Sequence, residues 1–326
     1  MKKQISRIMI TGALGQIGTE LAAALRRRYG AGNVIATDCR PLPDGRLQAS
    51  GPFHTVDVMD IEALERVVRQ YDIDTVFHLA ALLSATGEQK PQLCWKVNME
   101  GTFNILELGV RHQMARVVIP SSIAVWGAGV PRDNTPQETV LKPATMYGIT
   151  KVCGELLGDY YVRRFGLDVR GLRYPGIISY ETPPGGGTTD YAVAIFYEAV
   201  ETGRFTCFVR EDTVLPMIYM PDAIRGTIQL AEAEFSRLRH HADFNLASIS
   251  FSAGELARAI RKHLPEFRVD YEPDYHQPIA DSWPRSIDDS AARDEWGWQP
   301  EWDLESMTRD MLEQLQARKA KTGSLR

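Results

Sequence analysis

Along the first half of the chain, short apolar runs rich in Val and Ile alternate with longer segments whose apolar residues recur at helical spacing. The pattern predicts strands over Arg7–Thr11, Asn33–Thr37, His54–Val58, Thr75–Ala80, Arg116–Pro120 and Val169–Tyr174. Between them it predicts helices over Gln16–Arg28, Ile61–Tyr71, Trp95–His112 and Met146–Phe165. The strand runs show little apolar–polar alternation, as expected of strands covered on both faces. Strand and helix in regular turn imply an α/β protein built on a doubly wound parallel sheet.

Beyond Pro175 the rhythm loosens. A stretch with two prolines, three glycines and two threonines, "YETPPGGGTTDYAV" from Tyr180 to Val193, fits neither a strand nor a helix interior. A helix over Tyr191–Glu201 follows, then short strands near Phe205–Val209, Pro216–Tyr219 and Arg268–Tyr271. Asp222 stands near a helix start, and the tail reads as helical. Ser252 and Glu255 have the spacing of a capping box. We expect a first domain over 1–178, the Rossmann-type sheet, and a smaller α/β lobe over 179–326 packed against it.

Composition narrows the classes. The chain has 326 residues, 44% hydrophobic and 24% charged, with a net charge of -5. That balance argues against a nucleic-acid partner, which needs a concentrated basic surface. The basic run Arg26-Arg27-Arg28 falls on a helical face. The four cysteines, Cys39, Cys94, Cys153 and Cys207, are far apart and form no C-x-x-C pair. Neither a metal site nor a disulfide framework is expected, and the thiols read as reduced. Ile8-Met9-Ile10, interrupted upstream by Arg7, is too short for a secretory signal, and no run reaches the roughly 20 apolar residues of a membrane span. The expectation is a cytoplasmic protein without membrane partners.

Candidate chemistry begins at "ITGALGQIG". Gly12, Gly15 and Gly18 follow the first strand and open the first helix, with Gln16 and Ile17 between them. Glycines let a backbone approach a pyrophosphate, and the helix N-terminus offers N–H donors. Asp38 lies 20 residues beyond Gly18 at the end of the second strand, where a carboxylate accepts hydrogen bonds from ribose hydroxyls. An anion there favours NAD over NADP, although Arg40 nearby points the other way. Asp57, beside Val58 after the third strand, has two readings: contact with the adenine, or a helix cap. Tyr147 and Lys151, at i and i+4, project from one helix face. A lysine ammonium near a phenol stabilises the phenolate, which can then exchange a proton with a substrate hydroxyl. Ser121 and Ser122 end the strand before that helix, at the edge where a parallel sheet binds ligands.

The combination of "TGALGQIG", "FHLAALLSA", "VNMEGTFNILE", "PSSIAVWG" and "YGITK" resembles the extended short-chain dehydrogenase/reductases along essentially the whole chain. The resemblance implies NAD as cofactor and Ser122, Tyr147 and Lys151 as the catalytic trio. It implies that Asn98 supports the lysine through a backbone bond and a water. Leu79, Ala80, Ala81 and Ser121 would line the cofactor cleft, and Tyr174, Pro175 and Ile177 would lie beside the nicotinamide. "ALLSATGE", "LRYPGIISYETPPGGGTTDYAVAIFYEA" and "EPDYHQPIADSWPRSIDDSAARDEWGW" further resemble the short-chain-type L-threonine 3-dehydrogenases. That branch implies metal-independent oxidation of the Cβ hydroxyl of L-threonine to 2-amino-3-oxobutyrate. It also implies a homodimer through the Trp95–His112 and Met146–Phe165 helices. Ser84, Gly186, Thr188 and Thr189, with Ser122 and Tyr147, would contact the amino acid, and the Tyr180–Val193 loop would close over it. Trp283 reads as a pocket cap or as a core residue. Two rivals stand beside this reading. A sugar-nucleotide epimerase or dehydratase would keep NAD bound without net NADH formation. A non-catalytic NAD-sensing regulator would have no need of the tyrosine and lysine, both present here.

Overall fold

The apolar runs become the interior strands of a parallel sheet. The computed structural model describes residues 4–41, 50–183, 185 and 187–325. Strand β1 (Ile8–Thr11) is buried along its length and pairs in parallel with β2 (Val34–Asp38) on one side and β4 (Thr75–His78) on the other. With β3 (Phe53–Thr55), β5 (Arg116–Val118) and β7 (Val169–Arg170), the order is β3-β2-β1-β4-β5-β7. Strand order reverses at β1, so the crevice lies at the carboxyl ends of β1 and β4. Ile8 and Ile10 face a core shared with α1 (Gln16–Tyr29), while Met9 faces a core shared with α2 (Ile61–Tyr71) and α4 (Pro91–Arg111). Period-2 side-chain alternation thus supplies both layers.

Local signals set the helix ends. Asp60 accepts from Ala63 N–H at 2.9 Å and caps α2, so the cap is Asp60 and not Asp57. Thr145 caps α5 (Met146–Phe165) through Gly148 N–H, and Gly166 in the left-handed region ends it. The capping box of Ser252 and Glu255 forms at α8 (Ala253–His263). A six-residue helix, α3 (Ser84–Gln89), precedes α4 and has no counterpart in the sequence reading.

The expected strand Val169–Tyr174 is two strands. After β7, Gly171 donates to His241 O and accepts from Phe244 N–H. β8 (Leu172–Tyr174) then leaves the main sheet to pair with β6 (Ser121–Ser122) and β12 (Phe244–Asn245). The register places Ser121 beside Arg173 and Ser122 beside Tyr174.

The remainder is built around β9 (Gly176–Ile178), β11 (Val214–Tyr219) and β13 (Ile249–Ser252), plus a parallel pair of β10 (Arg204–Cys207) and β14 (Arg268–Tyr271). Helices α6 (Tyr191–Glu201), α7 (Met220–Glu232), α9 (His276–Ser282), α10 (Ser290–Trp296) and α11 (Leu304–Thr322) complete the described chain. One core joins α6, α8 and α11 to Ile123–Trp126, just past the serine strand, and it contains Trp283. No described helix is long and apolar enough to cross a membrane.

Candidate active site

The glycine loop is strapped over the end of β1. Ala13 N–H donates to Thr37 O at 3.0 Å and Leu14 N–H to Asp38 Oδ2 at 3.0 Å. Gly12 has φ +68°, and a Cβ there would stand 2.6 Å from Ala80 N. A Cβ on Gly18 would collide with the Gly12 carbonyl. Only glycine fits this turn, which aims the N-terminus of α1, with Gln16 and Ile17 in its first turn, at the crevice. Those first-turn N–H groups have no partner within the helix and suit a diphosphate. The cradle therefore fits the cofactor that the glycine spacing implies.

Asp38 is 4% exposed at the end of β2. Burial pushes its carboxyl up, but the Arg40 guanidinium and the N–H groups of Arg40 and Leu14 outweigh that and hold it below the usual range. Arg40 Nε lies 3.0 Å from Oδ1 while its side chain is 60% exposed. The carboxylate is thus engaged by a largely exposed surface guanidinium. Asp57 is exposed and accepts from Met59 N–H, forming a turn. Val58 is buried under Gly101, and its carbonyl accepts from Asn104.

Leu79, Ala80 and Ala81 leave β4 along the crevice, with Leu79 N–H bonded to Thr11 O. Asn98 fixes this segment from α4. Its Oδ1 accepts from Leu82 N–H at 2.8 Å, and its Nδ2 donates to Leu82 O at 3.1 Å and Thr150 Oγ1 at 3.0 Å. Its side chain thus ties the β4 loop to the helix residue before Lys151, with no direct bond to the lysine.

Tyr147 and Lys151 share a face of α5, with Nζ 5.5 Å from the phenol ring centroid. Nζ donates to Pro120 O at 2.8 Å. Ser122, from β6, spends its oxygen as acceptor of Ala124 N–H at 3.2 Å and also acts on the phenol. The expected lowering of the phenol by the lysine is not what this geometry gives. Burial pushes Tyr147 up to about 12, opposed by the Ser122 hydroxyl. Burial likewise lowers Lys151 to about 8, against the pull of Cys94 and Glu155. Desolvation of both groups outweighs their mutual attraction at this separation.

The Tyr174 hydroxyl bonds the Thr227 hydroxyl of α7 and its ring is buried in the core. Pro175 and Ile177 continue toward β9, where Ile177 pairs with Ile218. Thr188 is buried, and Thr189 packs against Gly176. Gly186 lies outside the described residues. Ser84 begins α3, partly buried. Trp283 is 6% exposed and packed in the core, its carbonyl accepting from Arg132. Among the described residues, no group of three or more His, Cys, Asp or Glu gathers as a metal would need.

The sequence profile of the NAD dependent epimerase/dehydratase family matches residues 8–247. The chain belongs to that family. A Staphylococcus haemolyticus protein described as an uncharacterized epimerase/dehydratase is 47% identical over 313 residues, covering 96% of this chain and 98% of its own length. The X-ray structure of L-threonine dehydrogenase from Clostridium difficile superimposes with a TM-score of 0.95 at 47% identity, covering 97% of this chain and 99% of that one. A monomeric L-threonine 3-dehydrogenase from a metagenome, in its apo form, gives 0.92 at 48% identity, covering 95% and 99%.

In this member of the family the site contains features that motif reading missed. Ser121 Oγ donates to Glu155 Oε1 at 2.5 Å, and Glu155 is paired with Arg173 at 2.7 Å. Arg173 also donates to Gln137 O and Asn245 Oδ1. Four residues after Lys151, Glu155 would have been found by extending the i, i+4 series one turn. Asp190 folds back on the glycine stretch, its Oδ2 accepting from Gly185 and Gly187 N–H at 2.6 and 2.8 Å. The loop's other end is held by Ser179, which donates to Glu20 of α1 at 2.6 Å. Burial, with help from Glu181, raises the Glu20 carboxyl to about 7 against the Ser179 bond.

Proposed function

We propose that this chain oxidises L-threonine at its Cβ hydroxyl with NAD, giving 2-amino-3-oxobutyrate. The observation that carries the reading is the tyrosine–lysine face of α5 beside Ser122, in a chain 47% identical to an L-threonine dehydrogenase along nearly its whole length. The Gly12–Gly18 loop and Asp38 would hold the dinucleotide, and Leu79–Ala81, Pro175 and Ile177 would flank its nicotinamide. NAD, when bound, supplies a hydride acceptor for the Cβ–H. Tyr147 takes the proton of the Cβ hydroxyl as phenolate. Ser122 hydrogen-bonds that oxygen and orients it. Lys151 stabilises the phenolate by its charge. Ser84, Gly186, Thr188 and Thr189 would receive the ammonium and carboxylate, with residues 1–178 serving the cofactor and 179–326 the amino acid. Exposed Trp95, Phe103, Leu156 and Tyr160 on α4 and α5 support a homodimer through those helices.

The deciding test is NADH absorbance on adding L-threonine, compared with UDP-sugars. Net NADH with threonine alone supports the reading, and turnover of a UDP-sugar without net NADH replaces it with an epimerase. The same assay measures cofactor choice. Because Asp38 would face the ribose, the expected result is a preference for NAD over NADP of at least ~1.4 kcal/mol, tenfold in affinity. Equal use of both would assign the 2′-phosphate to Arg40.

The loop yields a second expectation. Thr188→Val and Thr189→Val each keep shape and delete a hydroxyl. A lost partner for a charged group costs ~1–3 kcal/mol. The variant whose hydroxyl meets the substrate raises KM for threonine about tenfold and leaves KM for NAD unchanged. Parental threonine kinetics in both variants would make the loop a connector only.

A further inference from the structure

Behind Lys151 lies a cavity of ≈ 20 Å³, lined by His78, Asn98, Ser121, Thr150, Lys151 and Glu155 among others. One water needs about 10–15 Å³. His78 closes it from β4. The ring is 3% exposed, and Nε2 has no hydrogen-bond partner. An unsatisfied buried polar atom is costly, so such an atom at a water-sized space points to a ligand.

The other ring nitrogen is already engaged. Thr11 Oγ1, which accepts from Ala80 N–H at 3.4 Å, lies 2.8 Å from His78 Nδ1. In either neutral tautomer Nε2 is left one hydrogen bond short, and a water can serve it as acceptor or as donor. Burial, with the nearby Lys151 charge, lowers His78 to about 3 and keeps the ring neutral. His78 from β4 and Lys151 from α5 border the same small space. A group that accepts from the ammonium and also satisfies Nε2 fits between them. Asn98 is already engaged, its Oδ1 by Leu82 and its Nδ2 by Leu82 and Thr150. Glu155 is engaged by Arg173 and Ser121.

We propose that His78 is a positioning residue that holds one water in this cavity, and that this water accepts a hydrogen bond from the Lys151 ammonium. The proposal rests on the role given to Lys151 above. It adds His78 to the support that the family resemblance implies from Asn98. Pro120 O takes one ammonium hydrogen and the water a second, which leaves the third for the crevice. Besides His78, the titratable groups facing Lys151 are Tyr147 and Glu155 of its own helix and Cys94 of α4, and Cys94 and Glu155 favour its charge. The water adds to them, so its loss makes the ammonium easier to deprotonate.

The test has two arms on the NAD-loaded protein. A crystal structure of the parent at atomic detail shows an ordered water within hydrogen-bond reach of both His78 Nε2 and Lys151 Nζ. His78→Asn keeps a polar group near Thr11 and deletes Nε2. It moves the alkaline limb of the kcat profile down by about one pH unit, the scale of a hydrogen bond to a charged group. KM for NAD stays unchanged. His78→Gln, which returns a polar group near the Nε2 position, restores most of the shift. Should His78→Asn fail to fold, Thr11→Val removes the ring's anchor and shifts the same limb by less. A purely structural role would lower stability and leave the limb in place. No water at that position in the parent, or a parental pH profile in the variants, overturns the proposal. Failure of the parent to oxidise threonine would instead overturn the dehydrogenase reading, and the crystallographic arm is independent of it.

Discussion

Tyr147→Phe lowers kcat for L-threonine by about 10²-fold or more and leaves NAD affinity close to that of the parent. The weight is that of a positioned general base. The ring keeps its half-buried packing against the core, so the fold is not at stake. The pH profile carries the sharper signature. Burial pushes the phenol up to about 12, so the reactive phenolate is scarce at neutral pH and grows as pH rises. Lys151, lowered to about 8, loses its charge over the same range and opposes that gain. The two effects oppose each other, so the parental rate should climb above neutrality and then level or fall. The residual rate of the phenylalanine variant should lack the climb. Steady-state kinetics from pH 6 to 10 (roughly the range in which both groups act) reads both effects. Near-normal turnover with an unchanged profile would remove the proton from Tyr147.

Glu155→Leu lowers stability by about 3–5 kcal/mol, the cost of leaving a buried charge unpaired. Glu155 and Arg173 are 5% and 3% exposed, 2.7 Å apart. Burial raises the Glu155 carboxyl, with Arg173 and Ser121 pulling the other way. In the variant, Arg173 keeps Gln137 O, Asn245 Oδ1 and the more distant Asp243 carboxylate at 3.6 Å, but loses both of its bonds to Glu155. Midpoint temperature should fall by roughly 10 °C, measured by calorimetry. Replacing both residues by Leu should recover much of the loss, since a buried pair costs desolvation that an apolar pair avoids. A single variant within ~1 kcal/mol of the parent would show that water already reaches Arg173.

The sheet was legible because its signal is local. Ile61–Tyr71, Met146–Phe165, Tyr191–Glu201 and Arg268–Tyr271 form as the periodicity predicts. The Ser252–Glu255 box closes as its spacing predicts. Val169–Tyr174 reads as one strand because its residues are uniformly strand-forming. What divides it at Gly171 is a competition between two sets of partners, β5 on one side and β6 with β12 on the other. α3 escaped notice because six residues carry too little periodicity to stand out.

By itself the sequence determined the doubly wound order of elements, the glycine turn at Gly12–Gly18, the Asp38 position and the shared face of Tyr147 and Lys151. Each follows from spacing along a single element or a single turn. Only the tertiary structure decided what surrounds them. It turned the Tyr174 hydroxyl away to Thr227, buried Trp283 in the core, and spent the Asn98 side chain on Leu82 and Thr150. It also set His78, Lys151 and Glu155 around one small cavity. Those outcomes depend on burial and on partners far apart in the chain. Desolvation decides the state of a phenol, an ammonium or an imidazole, and it is set by everything packed around the group.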